Sequence, residues 1–214
     1  MLLLSGFEPF DGATLNPSAE VVAAIRSDPP PGIDLLTVVL PVETEVAADR
    51  LLTLRSECDA RAVIMLGEAR GQPTIRLEQV AINLRDFAIE DNAGSRLVDQ
   101  PVVADGPDAH FATLPLQDLL ETLRAAEVPV ERSLSAGSYL CNELSYRVLH
   151  ESDRIARAGG PRITAGFVHL PSAPEQANGP EEERPTMPIE DQIIAIRAII
   201  ERVAAGASKG PIPS

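Results

Sequence analysis

Short apolar runs alternate with amphipathic helical patterns along almost the whole chain, and that alternation leaves few folds open. Strand and helix in repeated succession build a largely parallel sheet, because parallel neighbours need a long crossover and the crossover helices then cover the sheet faces. Met1–Leu4, Leu35–Leu40 and Ala62–Leu66 have the length and composition of buried strands, the last ending at Gly67. Asn16-Pro17-Ser18 supplies a cap and then a proline in the first turn, so a helix starts there and runs to about Arg26. Asp28-Pro-Pro-Pro-Gly32 is a loop. Glu43–Glu57 reads as a helix that turns Val46, Ala47, Leu51 and Leu54 toward the core.

Arg76–Leu84 has strand character, Asp91-Asn92-Ala93-Gly94 is turn chemistry, and Ser95–Pro115 reads as a hairpin or an extended loop. Leu116–Ala126 and Tyr139–Asp153 are helices, Glu131–Leu134 and Ile163–Leu170 strands. Pro171–Pro188 is a loop rich in proline and glutamate, and Ile189–Ala204 a closing amphipathic helix. The expected architecture is α/β: a three-layer α/β/α sandwich on a twisted, mostly parallel (mixed) sheet. It forms a single domain over residues 1–207, and 208–214 is a frayed tail.

Composition narrows the function. A net charge of −14 argues against nucleic-acid and anionic-membrane partners, which require clustered Lys and Arg. The opening Met-Leu-Leu-Leu runs straight into Ser5-Gly6-Phe7, too short for a signal segment, and no apolar stretch approaches bilayer length. Cys58 and Cys141 make no disulfide framework, so a reducing cytoplasm is the default. With 2 Cys and 3 His, a Cys/His zinc cluster has little material, and no pair has ligand spacing.

Cys141 is the most informative residue. Ser135-Ala136-Gly137-Ser138 is a small, flexible run that turns a strand into a helix and sets the thiol near the helix start. Free N–H groups and the positive end of the helix dipole there favour a thiolate. His169 follows 28 residues later, at the end of an apolar run. A nucleophile and a base at the ends of regular elements are the minimum for thiol acyl transfer. Taken singly, each has a plainer reading: Cys141 as a small buried hydrophobe, His169 as a structural strand end. His150 lies 9 residues beyond Cys141 on the same helix and therefore on its opposite face, and His110 sits in the irregular region. Glu78, beside the apolar run Val80-Ala81-Ile82, is the best candidate to orient the imidazole; the alternative is a surface carboxylate at a strand end.

Four segments together resemble the pyroglutamyl peptidase type I (pyrrolidone-carboxylate peptidase) family. Gly6-Phe7-Glu8-Pro9-Phe10-Asp11-Gly12 with Asn16-Pro17-Ser18 is similar to the family's Gly-Phe-Glu-Pro-Phe-Gly-Gly and Asn-Pro-Ser. Leu77-Glu78-Gln79-Val80-Ala81-Ile82-Asn83 with Asp91-Asn92-Ala93-Gly94 resembles Pro-Glu-Arg-Val-Ala-Ile-Asn and Asp-Asn-x-Gly. Ser135–Asn142 resembles the nucleophile segment, and Phe167–Gln176 the histidine segment.

The resemblance implies a cysteine hydrolase that removes an N-terminal pyroglutamyl residue, with Cys141 as nucleophile, His169 as base then acid, and Glu78 orienting it. It implies no metal or organic cofactor, peptides with N-terminal pyroglutamate as partners, and a homo-oligomer, often a tetramer. Phe7 and Phe10 match aromatics that line the ring pocket; Leu140 is a further wall candidate, and Asn16 either braces the Phe7–Phe10 loop or caps its helix. Two departures bear on rate and specificity. Ala88 stands where the family has an arginine thought to polarise the scissile carbonyl, so either Arg85 or backbone N–H groups take over. Arg70 and Gln72 alter the Gly-x-Ala-Gly-Gly-Arg loop, and Arg70 either restores the missing charge or narrows the pocket. Two other readings stay open: a cysteine amidase for another acyl group, and a silent homologue that binds blocked N-termini.

Overall fold

The computed structural model describes residues 1–177 and 184–207, with no side-chain description of residue 207. The 208–214 tail and part of the Pro171–Pro188 loop lie outside the described residues. The elements run β1 (Leu2–Phe7), α1 (Pro17–Ser27), β2 (Leu35–Leu40), α2 (Val46–Glu57), β3 (Ala62–Glu68), β4 (Ile75–Glu78), β5 (Val80–Ile82), β6 (Ala109–Phe111), α3 (Leu116–Ala125), β7 (Val130–Ser133), α4 (Leu140–Arg157), β8 (Thr164–Leu170) and α5 (Ile189–Ala207). Six strands form one sheet in the order β2-β1-β3-β8-β4-β7. Every pairing in it is parallel except β4 against β8.

Alternation along the central strands sorts their side chains between two cores. Leu2, Leu4, Ile64, Leu66 and Val168 pack under the helices α1, α3 and α5. Leu3, Val63, Met65, Ala165 and Phe167 pack on the opposite face, under α2 and α4. The expected α/β fold with a mostly parallel, mixed sheet between helical layers is the observed one.

Two local expectations are corrected, the strand over 76–84 and the helix start at Glu43. The strand read over 76–84 is two: β4 stays in the main sheet, the chain breaks at Gln79, and β5 leaves to pair antiparallel with β6. The N–H of Gln79 bonds the Ser133 carbonyl of β7 while its own carbonyl takes the N–H of Ala112, so one residue serves both sheets. Ser95–Pro115 contributes only the short β6 as regular structure. The helix read from Glu43 begins at Val46, because Glu45 adopts a positive φ of 64° and breaks it. That turn leaves Val46 46% exposed rather than in the core. The Glu143 carboxylate of α4 supplies the missing cap, accepting the Glu45 N–H at 2.7 Å and the Thr44 hydroxyl at 2.8 Å.

Candidate active site

Cys141 owes its position to the turn between β7 and α4. Gly137 has φ 78°, which an L side chain resists, and the Ser133 and Ser135 hydroxyls accept the backbone N–H groups of Ser135 and Gly137. α4 then starts at Leu140, so the thiol stands in its first turn. Buried Asn142 fixes that turn to the loop after β5: its Oδ1 accepts the Ile82 N–H, and its Nδ2 donates to the carbonyls of Ile82 and Leu84, each at 2.9 Å. On the far side lies Gly67 of β3, where a Cβ would come within 2.9 Å of the Cys141 sulfur and 2.8 Å of the Phe167 ring. The thiol can sit where it does only because position 67 has no side chain.

His169 lies near the C-terminal end of β8, paired with Gly67 on one side and with Arg76 of antiparallel β4 on the other. Glu78, two residues along β4 from Arg76, therefore shares the face of His169. Its Oε1 stands 2.8 Å from His169 Nδ1, and both side chains are almost wholly buried. A carboxylate accepts, so Nδ1 carries a hydrogen; the other ring nitrogen is the one available to the thiol, and His169 and Cys141 line one cavity. Burial pushes the imidazole pKa down, but the Cys141 thiolate and then the Glu78 carboxylate outweigh it and hold His169 up at about 9.

A cavity of about 160 Å³ opens on Cys141 and His169. Its walls include Phe7, Phe10, Leu140 and Asn16, all expected from the sequence, and Tyr139, Val42, Ala136 and Glu68, which were not. Tyr139 was readable as the aromatic two positions before the thiol. Its ring meets Phe87 edge-on at 4.8 Å, its hydroxyl donates to the Glu90 carbonyl, and burial raises its pKa to about 12, so it is a neutral donor. Asn16 performs both of its alternative tasks. Its Oδ1 accepts the Ser18 N–H at 3.0 Å to cap α1, and its Nδ2 donates to the Glu8 carbonyl at 3.0 Å to brace the loop that carries Phe10.

The model of the family described as pyroglutamyl peptidase matches residues 1–206. The chain belongs to the pyroglutamyl peptidase family. It is 37% identical to a pyrrolidone-carboxylate peptidase of Coprothermobacter proteolyticus over 97% of this chain and 99% of that one. It is 41% identical to one of Deinococcus radiodurans, over 96% of this chain and 93% of that one. Among solved structures, pyroglutamyl peptidase I of Bacillus amyloliquefaciens superposes with a TM-score of 0.87 at 30% identity, covering 95% of this chain and 96% of that one.

Neither of the two arginines singled out from the pyroglutamyl peptidase motifs lines this cavity. Arg85 is 9% exposed and held elsewhere: its guanidinium donates twice to the Pro101 carbonyl, lies 3.2 Å from Glu45 and 3.9 Å from Glu143, and does not line the cavity. The structure thus places Arg85 away from the cavity that holds Cys141 and His169. Its ion-pair partners arrive from α4 and the turn before α2, which no local pattern reveals. Ala88 is exposed and does not line the cavity either. Arg70 does not line the cavity: it lies over the Phe10 ring, bonded to the Phe10 carbonyl and paired with Asp11. Among the described residues no group of His, Cys, Asp and Glu is arranged to hold a metal ion, and no helix is long and apolar enough to cross a membrane.

Proposed function

We propose that the chain hydrolyses the amide bond after an N-terminal pyroglutamyl residue, with Cys141 as nucleophile, His169 as proton carrier and Glu78 as its orienting carboxylate. The observation that carries this reading is the buried Glu78–His169 pair, with His169 and Cys141 together lining a small, aromatic-walled cavity. A flat, uncharged lactam suits such walls, and Phe7, Phe10, Tyr139 and Leu140 are the residues proposed to hold it.

The proposed steps start from a Cys141 thiolate and a His169 imidazolium. The Cys141 thiolate attacks the pyroglutamyl carbonyl carbon and forms the C–S bond as the carbonyl becomes an oxyanion. The first-turn N–H groups of α4 have no carbonyl one turn earlier and are proposed as the donors to that oxygen. The intermediate collapses, the C–N bond breaks, and imidazolium His169 gives its proton to the departing amine. His169, now neutral, takes a proton from water; the hydroxide attacks the thioester, pyroglutamate leaves, and thiolate and imidazolium are restored. The reading extends to a reducing, cytoplasmic setting, supported by two free cysteines, and to a homo-oligomer, supported by the family resemblance and checked by light scattering.

The test is release of an amine reporter from a pyroglutamyl amide by wild type and by Cys141→Ala. Turnover by wild type that vanishes in the variant is expected. Absence of turnover by folded wild-type protein overturns the reading and leaves the amidase for another acyl group and the silent binder in its place.

A further inference from the structure

Phe10 lines the cavity, and a cation lies over its ring. The Arg70 guanidinium lies over the Phe10 ring, 4.5 Å from its centroid. The same guanidinium donates to the Phe10 carbonyl at 3.3 Å and pairs with Asp11 at 2.7 Å. Its Nε stands 3.6 Å from the buried carboxylate of Glu68. Glu68 in turn accepts from Ser172 at 2.7 Å and from Gln176 at 3.0 Å, just past the His169 strand. Arg70 thus ties the ring, carbonyl and following residue of the Phe10 loop to the sheet end that carries His169.

Asp11 holds a positive φ of 54°, a conformation that glycine adopts freely and aspartate only with support. The family motif has glycine both where this chain has Asp11 and where it has Arg70. The two departures, 59 residues apart, meet in one ion pair.

We propose that Arg70 and Asp11 form a latch that sets the position of the Phe10 wall and so the width of the acyl pocket. Arg70 is a positioning residue: it acts through Phe10 and touches neither the reacting carbonyl nor the thiol. The latch keeps the pocket narrow and selects a five-membered lactam over larger acyl rings. The inference rests on the proposed pyroglutamyl peptidase activity.

The experiment compares wild type, Arg70→Gly, Asp11→Gly, the double glycine variant and Arg70→Lys on two amides of one reporter, pyroglutamyl and its six-membered lactam homologue. One exposed ion pair and one cation–ring contact together predict a rise in KM for the pyroglutamyl amide of about three- to tenfold in Arg70→Gly, with kcat unchanged. Preference for the five-membered ring should fall by a similar factor. The double variant should match Arg70→Gly rather than multiply the two single effects, and Arg70→Lys should recover part of the loss. Wild-type KM and ring preference retained in a folded Arg70→Gly overturn the latch while leaving the peptidase reading intact. A fall in kcat with KM and ring preference unchanged overturns it too. No turnover by wild type on either amide overturns the peptidase reading itself, and the latch with it.

Discussion

At Gly67 and Glu78 the chemistry depends on single atoms. A methyl at position 67 would meet the Cys141 sulfur at 2.9 Å and the Phe167 ring at 2.8 Å, distances that real Cβ atoms do not tolerate. Gly67→Ala is therefore expected to push the thiol off line and lower kcat by about 100-fold, the scale for an ångström of misplacement. Steady-state kinetics beside a melting curve checks it; kcat within twofold of wild type would show that the thiol has room to move. Glu78→Gln keeps the shape but removes the charge that helps hold His169 up at about 9. Wild-type kcat/KM should persist through neutral pH and fall as pH rises past about 9, where the imidazolium loses the proton meant for the leaving amine. In Glu78→Gln that alkaline limb should move to lower pH and kcat should drop by about 10²- to 10⁴-fold. An unmoved limb would mean that the titration seen belongs to another group.

Among the elements, α4 is the one on which the others are assembled. It carries the thiol, caps the turn before α2 through Glu143, and holds the end of β5 through Asn142. Removing the Asn142 amide strands the N–H and C=O of Ile82 and the C=O of Leu84, each of which costs about 1 kcal/mol or more when left without a partner. Asn142→Ala should therefore lose about 3 kcal/mol in urea unfolding. A loss below 0.5 kcal/mol, on the scale of about ±0.5 for neutral surface changes, would show that β5 is held by its pairing with β6. The helix starts were legible: Asn16-Pro17 marks α1, and the Ser135–Ser138 run marks the turn before α4. The start of α2 was not, because its cap comes from Glu143, distant in the chain.

For the whole molecule, two buried histidines titrate in opposite senses. His110 bonds Asp153 through Nδ1 at 2.8 Å and His150 through Nε2 at 3.2 Å, with Tyr146 packed against it and Arg157 near. Burial lowers its pKa below 6.5, and the Asp153 contact only partly offsets this. The unfolded chain then binds the proton more readily, so stability should be lost as pH falls through about 6.5. His169 has the reverse sign: held up at about 9, its contribution is complete below the unfolded value near 6.5 and disappears as pH rises through 9. A plot of Tm against pH should therefore crest near neutrality and decline on both sides, with the acid limb reduced in His110→Gln. A curve that rises steadily from pH 7 to 10 would contradict the His169 assignment.

Local pattern in the sequence determined the order of most strands and helices, the cap and turn that start α1 and α4, and the residue types able to do thiol chemistry. Periodicity and capping are encoded within a few residues, and an apolar strand declares its burial wherever it lies. Only the tertiary structure decided which strands are neighbours and in which direction they run. The antiparallel insertion of β4 beside β8 brings Glu78 to His169 across 91 residues, and it follows from satisfying backbone groups across the whole sheet. The destinations of the arginines were settled in the same way: Arg85 by carboxylates from the turn before α2 and from α4, and Arg70 by a ring and a carboxylate from the loop after β1. A long charged side chain goes to whichever buried or half-buried partners the fold collects around it, and that collection exists only once the chain is folded.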